Sequence, residues 1–346
     1  MSRIFSNEIV FRGHPDKVCD QISDALLDAF RWADPNSRCG IETAGGKGKI
    51  FVTGEVRSSA RPKVDMIVYE VLRSCGYPGD YEVINNLGLQ SPDISRGVDT
   101  GGAGDNGMMF GYACSDTASY LPKAQRILQE FAVTYDYIRR QDFRFLPDGK
   151  AQITGEYDDQ FNLRRIKAFT ICYQNTELER EDTDEVLRNL AADLSHIYGV
   201  EIERFLINPT GRFEIGGFAG DAGLTGRKIV VDSYHAFAPV GGGAFSGKDP
   251  TKVDRSGAYK ARQLAIRCLK KHKLQRCTVQ LSYSIGVASP MAIYIDSDIG
   301  QLEASTYDYI ACEPQNIIAD LRLGDRLFEE TARFGHFGDA SFPWEA

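Results

Sequence analysis

Between Pro15 and Phe30 the apolar residues Val18, Ile22, Ala25, Leu26, Ala29 and Phe30 recur at the spacing of one helical face. Proline suits a first helical position, so the pattern predicts a helix over 15–30. Asp16, Asp20, Asp24 and Asp28 repeat along it at every fourth residue. They read as a solvated face, except Asp16, which stands beside His14 at the helix start. Residues 182–199 and 256–274 read as further amphipathic helices, the second ending in cations that suit a helix C-terminus. Alternation predicts strands at GKIFVTGEV (48–56) and GKAQITGEY (149–157), which share Gly, Lys, Thr, Gly and Glu at matching places. That echo hints at duplicated units of about a hundred residues. CTVQLSYSIGVA and MAIYIDS read as strands near the end, and KIVVD (228–232) as a short one. Helices and strands mix without a strict β-α-β rhythm, which favours α+β over a doubly wound sheet. Residues 89–107, LQSPDISRGVDTGGAGDNG, read as a long loop, a length that usually accompanies function or disorder.

A chain of 346 residues suggests two or three domains, and 42% hydrophobic with 25% charged content suits a globular core. The net charge of -8 argues against a nucleic-acid coat or a binder of anionic membranes. The N-terminus MSRIFSNEIVFRG has no apolar segment of the secretory kind, and no run approaches the roughly 18 residues of a membrane span. Eight scattered cysteines without a C-x-x-C pair imply neither a zinc framework nor a disulfide scaffold. They read as reduced, mostly buried thiols in a cytoplasmic protein.

Candidate chemistry concentrates in a few places. Gly242 to Lys248 fits G-x-x-x-x-G-K, but Asp249 stands where a P-loop needs Ser or Thr for magnesium. The nearest strand, KIVVD, is separated from it by SYHAFAPVG, and Pro250 follows, so a true P-loop is disfavoured. Lys248, Lys252, Arg255, Arg227 and Lys228, with Gly241, Gly242, Gly243 and Gly247, still suit an anion. Asp249 and Asp254 among those cations make sense if magnesium bridges them to phosphates. GHPDK (13–17) sets His14, Asp16 and Lys17 at a helix N-terminus, which attracts anions. Phe213 could stack on a base or fill the core.

Longer strings carry more. GHPDK…DQISDA, ETAGGKGKIFVTGEV, QSPDIS and GAGDNGMMFGYA, LPDGKAQIT, FLINPTGRFEIGGFAGDAGLTGRKIVVDSY, GGGAFSGKDPTKVDRSGAYKAR, SYSIGVASP and ETARFGHFGDASFPWE occur in one order. Together they resemble the S-adenosylmethionine synthetase (methionine adenosyltransferase) family along nearly the whole chain. The resemblance implies three similar α+β units about a pseudo-threefold axis, here 1–95, 101–213 and 215–346. It also implies a site shared between two subunits of a dimer or dimer of dimers. Methionine sulfur would attack the ribose C5′ of ATP and expel tripolyphosphate, which is then cleaved to pyrophosphate and phosphate.

By the same resemblance, His14, Lys150, Arg227 and Lys248 match catalytic positions. Asp148, Gly149, Lys150, Phe213, Asp221, Arg227, Lys228, Ala244 and Lys248 match ATP contacts, with His14 beside the departing oxygen. Glu55, Gln90, Asp105, Asp221 and Lys252 match the methionine site. Asp16 and Asp254 match ligands of magnesium, two ions per site, and Glu42 a potassium ligand. The chain departs from the family pattern at Phe11-Arg12, where Ser-Glu is usual, and at Ser233 to Ala236, where Thr-Tyr-Gly-Gly is usual. It departs again in a shorter gating loop after Asp99, which implies weaker exclusion of bulkier thioethers. These departures keep open a paralogue with another thioether or nucleotide, or an inactive ATP-binding partner subunit.

Overall fold

The computed structural model describes residues 3–90 and 101–346. The segment 91–100, which holds most of the expected gating loop, lies outside the described residues.

Among the described residues, three antiparallel or mixed sheets organise the chain. The first has the order β4-β3-β2-β9, from Glu82–Gly88, Lys49–Arg57, Arg38–Gly46 and Gly223–Leu224. The second has the order β1-β6-β7-β8, from Arg3–Val10, Phe145–Tyr157, Leu163–Asn175 and Phe205–Ile207. The third has the order β11-β10-β5, from Ala292–Ser297, Arg276–Tyr283 and Gly107–Cys114. Each sheet takes a strand from another of the regions 1–95, 101–213 and 215–346. β1 pairs with β6 over Arg3↔Tyr157 to Val10↔Lys150, β5 pairs with β10, and β9 pairs with β2. The exchange is cyclic, from first region to second, second to third, and third back to first. The echoed segments both become interior strands, β3 and β6.

Helices α1 (Pro15–Ala33), α2 (Val64–Cys75) and α7 (Val253–His272) cover the first and third sheets. They share one core that includes Ile22, Leu26, Val52, Ile266 and Val279. A second core joins α3 (Lys123–Gln141) and α4 (Arg180–Ile197) to β6 and β7 through Phe131, Ile153, Phe169 and Leu187. Burying each such side chain contributes roughly 1.5–3 kcal/mol. Between these helices stand the short α5 (Gly217–Gly220) and α6 (Ile229–Asp232), and α8 (Thr306–Ala311) and α9 (Pro314–Asp320) follow. No described helix is long and apolar enough to cross a membrane.

Two expectations are corrected. The aspartate stripe is not solvated: Asp20 and Asp24 are fully buried and Asp28 nearly so. Helix α1 is enclosed on both sides, and its carboxylates take backbone N–H groups that the loops leave unpaired. Asp20 accepts from Gly226 at 2.8 Å, Asp24 from Gly247 at 2.8 Å, and Asp28 from Phe328 and Glu329 at 2.8 and 2.9 Å. KIVVD is not a strand but the helical turn α6. Val231 and Asp232 are both buried, and Asp232 forms an ion pair with Lys17. A strand would send these neighbours to opposite faces, so tertiary contacts override the β-branched residues.

The departures at 11–12 and 233–236 also become concrete. Phe11 stacks on Tyr135 with ring centroids 4.1 Å apart. Arg12 is buried and donates to Gln21 Oε1 at 2.7 Å and Ser74 Oγ at 3.0 Å. Its guanidinium is thus engaged with α1 and α2. His235 adopts a left-handed backbone, φ 54°, and is buried with neither ring nitrogen partnered among the described residues. Burial pushes its pKa down to about 3. The folded protein holds this imidazole neutral, while the unfolded chain protonates it near pH 6.5. Its contribution is complete above that value and is lost as pH falls from there toward 3. His235→Asn, which tolerates a left-handed backbone, should reduce the acid slope of unfolding free energy by about 1.4 kcal/mol per pH unit near pH 5. Urea titrations across that range read the slope. An unchanged slope would show that His235 already titrates normally in the folded state.

Candidate active site

The expected site residues fall into two groups. The first surrounds the start of α1. His14 caps the helix, its Nδ1 accepting from Asp16 N–H at 3.2 Å. Asp16 is buried; it accepts from Leu224 N–H at 2.9 Å, pairs with Lys228, and lies 3.5 Å from Arg227 Nε. Lys150 lies opposite Val10 in the β1–β6 register, at the end of the strand that leads into this helix. Burial lowers the His14 pKa to about 4, with Lys228 and Lys150 acting in the same direction against Asp16 and Asp221. Its neutral ring therefore carries the proton on Nε2, because Nδ1 is occupied as an acceptor.

Asp148 borders this group. Its carboxylate accepts from Gly217 N–H at 2.7 Å, and burial raises its pKa to about 6. Gly149 receives Phe11 N–H on its carbonyl at 2.9 Å. Phe213 is half-buried, with its carbonyl bound to Asn175 N–H at 2.9 Å. Asp221 is exposed just after α5. Ala244 abuts the turn before Arg227: a Cβ on Gly226 would come within 2.6 Å of it.

The second group lines a cleft of about 450 Å³ between β2, β3 and the start of α7. Glu42, Glu55, Asp105, Lys248, Lys252 and Asp254 all face it. Lys248 pairs with Asp254, and Gln90 Nε2 donates to Glu55 Oε1 at 3.2 Å. Lys252 lies 2.7 Å from Asp249, whose buried carboxylate also takes Thr251 N–H at 3.0 Å and Cys39 N–H at 2.8 Å. The P-loop resemblance of this segment has no structural counterpart. Gly247 accepts Ile41 N–H at 3.0 Å, Asp249 N–H donates to Cys39 at 3.2 Å, and Gly40 bridges Lys248. The segment is thereby fastened along β2. Asp249 steadies the first turn of α7 where a P-loop would use a hydroxyl for magnesium.

Asp16 and Asp254 are not brought together. Each has its own lysine, and no hydrogen bond or ion pair joins the two groups among the described residues. Between them runs an open sheet face. Its outward row is Leu224, Ala44, Phe51 and Ile84, matched across β9, β2, β3 and β4. Phe51 and Ile84 are each 37% exposed and Leu224 39%. Two residues along the same face come Glu42 and Thr53, then Gly40 and Glu55, which enter the cleft. At the other side Leu224 N–H holds Asp16. Lys17, Asp20, Asp24, Asp249 and Arg255 support both groups from within: the anion-binding reading of Lys17 and Arg255 and the magnesium reading of Asp249 are corrected, because all five are buried and paired inside the protein. For Asp20 and Asp24 the four-residue spacing opposite an apolar stripe was the one visible signal.

Comparison with known proteins identifies the family. Residues 2–92 match the S-adenosylmethionine synthetase N-terminal domain, 100–213 the central domain, and 215–346 the C-terminal domain. An S-adenosylmethionine synthase of Prochlorococcus marinus (strain MIT 9303) is 41% identical over 398 aligned positions, covering 100% of this chain and 94% of that protein. One from Petrotoga mobilis is 39% identical over 383 positions, covering 99% and 96%. Both alignments exceed this chain's 346 residues, so parts of those relatives have no counterpart here. With matches spanning all three regions, the chain belongs to the S-adenosylmethionine synthetase family.

Proposed function

We propose that this protein makes S-adenosylmethionine from ATP and L-methionine. A lone pair on the methionine sulfur forms the bond to C5′, the C5′–O bond breaks, and tripolyphosphate leaves with the electron pair. Water then cleaves that chain to pyrophosphate and phosphate. The supporting observation is that each carboxylate expected near the phosphates is already engaged with a cation, Asp16 with Lys228 and Asp254 with Lys248. Such mixed surfaces suit a magnesium polyphosphate.

Lys150, Arg227, Lys228 and Lys248 would gather the triphosphate, whose growing charge is the main electrostatic demand of the reaction. His14, neutral with Nε2–H free to donate, would hydrogen-bond the departing oxygen. Asp148, Gly149, Phe213, Asp221 and Ala244 would seat the nucleoside. Glu55, Gln90, Asp105 and Asp221 would hold the methionine ammonium side, and Lys252 its carboxylate. The donor set fits magnesium, a hard cation that typically takes one or two carboxylates plus substrate phosphates. Asp16 and Asp254 would hold two such ions, and magnesium would neutralise phosphate charge. Glu42, an exposed carboxylate in the cleft, suits potassium.

The separation of the two groups supports a shared site. A twofold pairing through the Leu224-Ala44-Phe51-Ile84 row would set the His14 group of one subunit against the Lys248 group of its partner. The cyclic strand exchange supports the threefold arrangement of units, and ATP use fits a cytoplasmic protein.

The purified protein, given methionine, ATP, magnesium and potassium, should yield S-adenosylmethionine, pyrophosphate and phosphate by mass spectrometry. ATP binding without any sulfonium product would overturn the proposal. Running ethionine and GTP alongside separates it from a paralogue with another substrate. Lys252→Ala should chiefly raise the methionine KM, whereas an equal change in the ATP KM would refute its role. Because His14 is already neutral near pH 7, the kcat/KM ratio of wild type to His14→Asn should stay flat around pH 6.5. A bend there would mean that His14 acts as a titrating acid.

A further inference from the structure

Lys17 follows Asp16 directly but is fully enclosed, so its ammonium is out of reach of any dissolved molecule. It donates instead to Asp20 Oδ2 at 3.0 Å and to Asp232 Oδ1. Those two carboxylates fix opposite ends of the segment 226–232, which carries Arg227 and Lys228. Asp20 accepts Gly226 N–H at 2.8 Å on its other oxygen, Oδ1. Asp232 closes α6: its N–H donates to the Lys228 carbonyl at 2.9 Å, and its own carbonyl accepts His336 N–H at 3.0 Å. One turn back along α1, Asp16 divides its oxygens in the same way. Oδ1 accepts Leu224 N–H at 2.9 Å and Oδ2 pairs with Lys228. Between these ties Thr225 Oγ1 lies 2.8 Å from Ser23 Oγ and accepts Thr43 N–H at 3.0 Å. The start of α1 thus grips the backbone of the segment from its buried side, while Arg227 is exposed and Lys228 only partly buried.

We propose that Lys17 is the positioning residue for Arg227 and Lys228, bracing the backbone of 226–232 so that Lys228 exchanges Asp16 for a phosphate without the segment shifting. The inference rests on the reading of these two cations as triphosphate contacts. A polyphosphate that draws Lys228 away from Asp16 breaks one tie between the segment and α1. The ties through Lys17 face inward and do not compete with the ligand. They keep both cations aimed before the ligand arrives, so binding does not have to order them. The positive charge at 17 is needed for this. Asp20 and Asp232 are both buried, and without the ammonium between them their repulsion in a poorly screening interior would push α6 off α1.

The test compares full-length wild type with Lys17→Met and with Lys17→Met/Asp232→Asn. The double variant removes one stranded carboxylate and serves if the single variant does not fold. Hydrogen exchange reads the segment, calorimetry reads tripolyphosphate binding with magnesium, and steady-state kinetics reads the reaction. Exchange should quicken at the N–H groups of Leu224, Gly226 and Asp232 while α3 and α4 keep their protection. Tripolyphosphate should bind about tenfold more weakly and the ATP KM should rise about as much, with the methionine KM changed less than about twofold. The double variant should regain stability yet keep the binding defect, because relieving the charge does not restore the tie. Wild-type exchange in this segment, unchanged tripolyphosphate affinity, protection lost evenly along the chain, or equal rises in both KM values would each overturn the proposal. Exchange and calorimetry do not use the reaction, so a wild-type protein that binds tripolyphosphate but forms no sulfonium overturns the proposed function alone.

Discussion

Lys248→Ala is expected to lower kcat by about 10²–10³, with a much smaller change in the methionine KM. Its ammonium is fixed at the mouth of the cleft by Asp254 and by the strand-like attachment of residues 247–249 to β2. Charge placed there gains strength only as the C5′–O bond breaks, so its loss falls on turnover. The same variant tests where the site is assembled. Alone, neither Lys248→Ala nor His14→Asn leaves an intact site. In mixed dimers the two lesions fall into one shared site and leave the other whole. Equal mixing after subunit exchange should therefore restore about a quarter of wild-type activity, since half the dimers are mixed and each has one good site of two. No recovery in demonstrably mixed dimers would mean that each subunit builds its site alone. A similar loss in kcat and in methionine affinity would reassign Lys248 to substrate binding.

Arg255→Ala should lower the unfolding free energy by about 3–5 kcal/mol. Arg255 and Asp24 are both fully buried, with one guanidinium nitrogen 2.6 and 2.7 Å from the two carboxylate oxygens. The guanidinium also lies 4.4 Å above the Phe328 ring. Removing the arginine strands a carboxylate in a medium that penalises charge, which costs more than the pair gains. Pairing Arg255→Met with Asp24→Leu should therefore recover much of the loss, because the stranded charge disappears. Asp24 also holds Gly247 N–H, so Asp24→Leu should loosen the turn next to Lys248 and lose turnover as well. Denaturant unfolding of the two single variants and the double variant measures the coupling. A double variant as unstable as the sum of the singles would show that the charges do not act as a pair.

The local elements were largely legible in the sequence. Helix α1, helix α7 and the strands β3, β6, β10 and β11 follow from periodicity because each presents a regularly spaced apolar face, whatever distant segment it packs against. The carboxylate stripe was misread because periodicity identifies the apolar side of a helix but not what covers the other. Gly226, Gly247 and Phe328, which bind those aspartates, lie more than two hundred residues away. β9 has two residues, too few for any alternation to register, and KIVVD has the composition of a strand but the contacts of a turn. The candidate site residues were named from their motifs. Their division into two groups was not, because spacing along a chain does not record which distant segments fold together.

The cyclic passing of strands also bears on how the chain becomes native during synthesis. The first three-strand sheet is complete through Gly88, yet the outer edge of β2 keeps an unpaired row of backbone groups until Gly223 and Leu224 emerge. β5 likewise waits for β10, more than a hundred and sixty residues later. Such distant closures carry a large loop entropy and delay the final cooperative step. A nascent N-terminal third therefore leaves the ribosome with an open edge that another copy could occupy. Protection of that edge depends on rapid delivery of the last third.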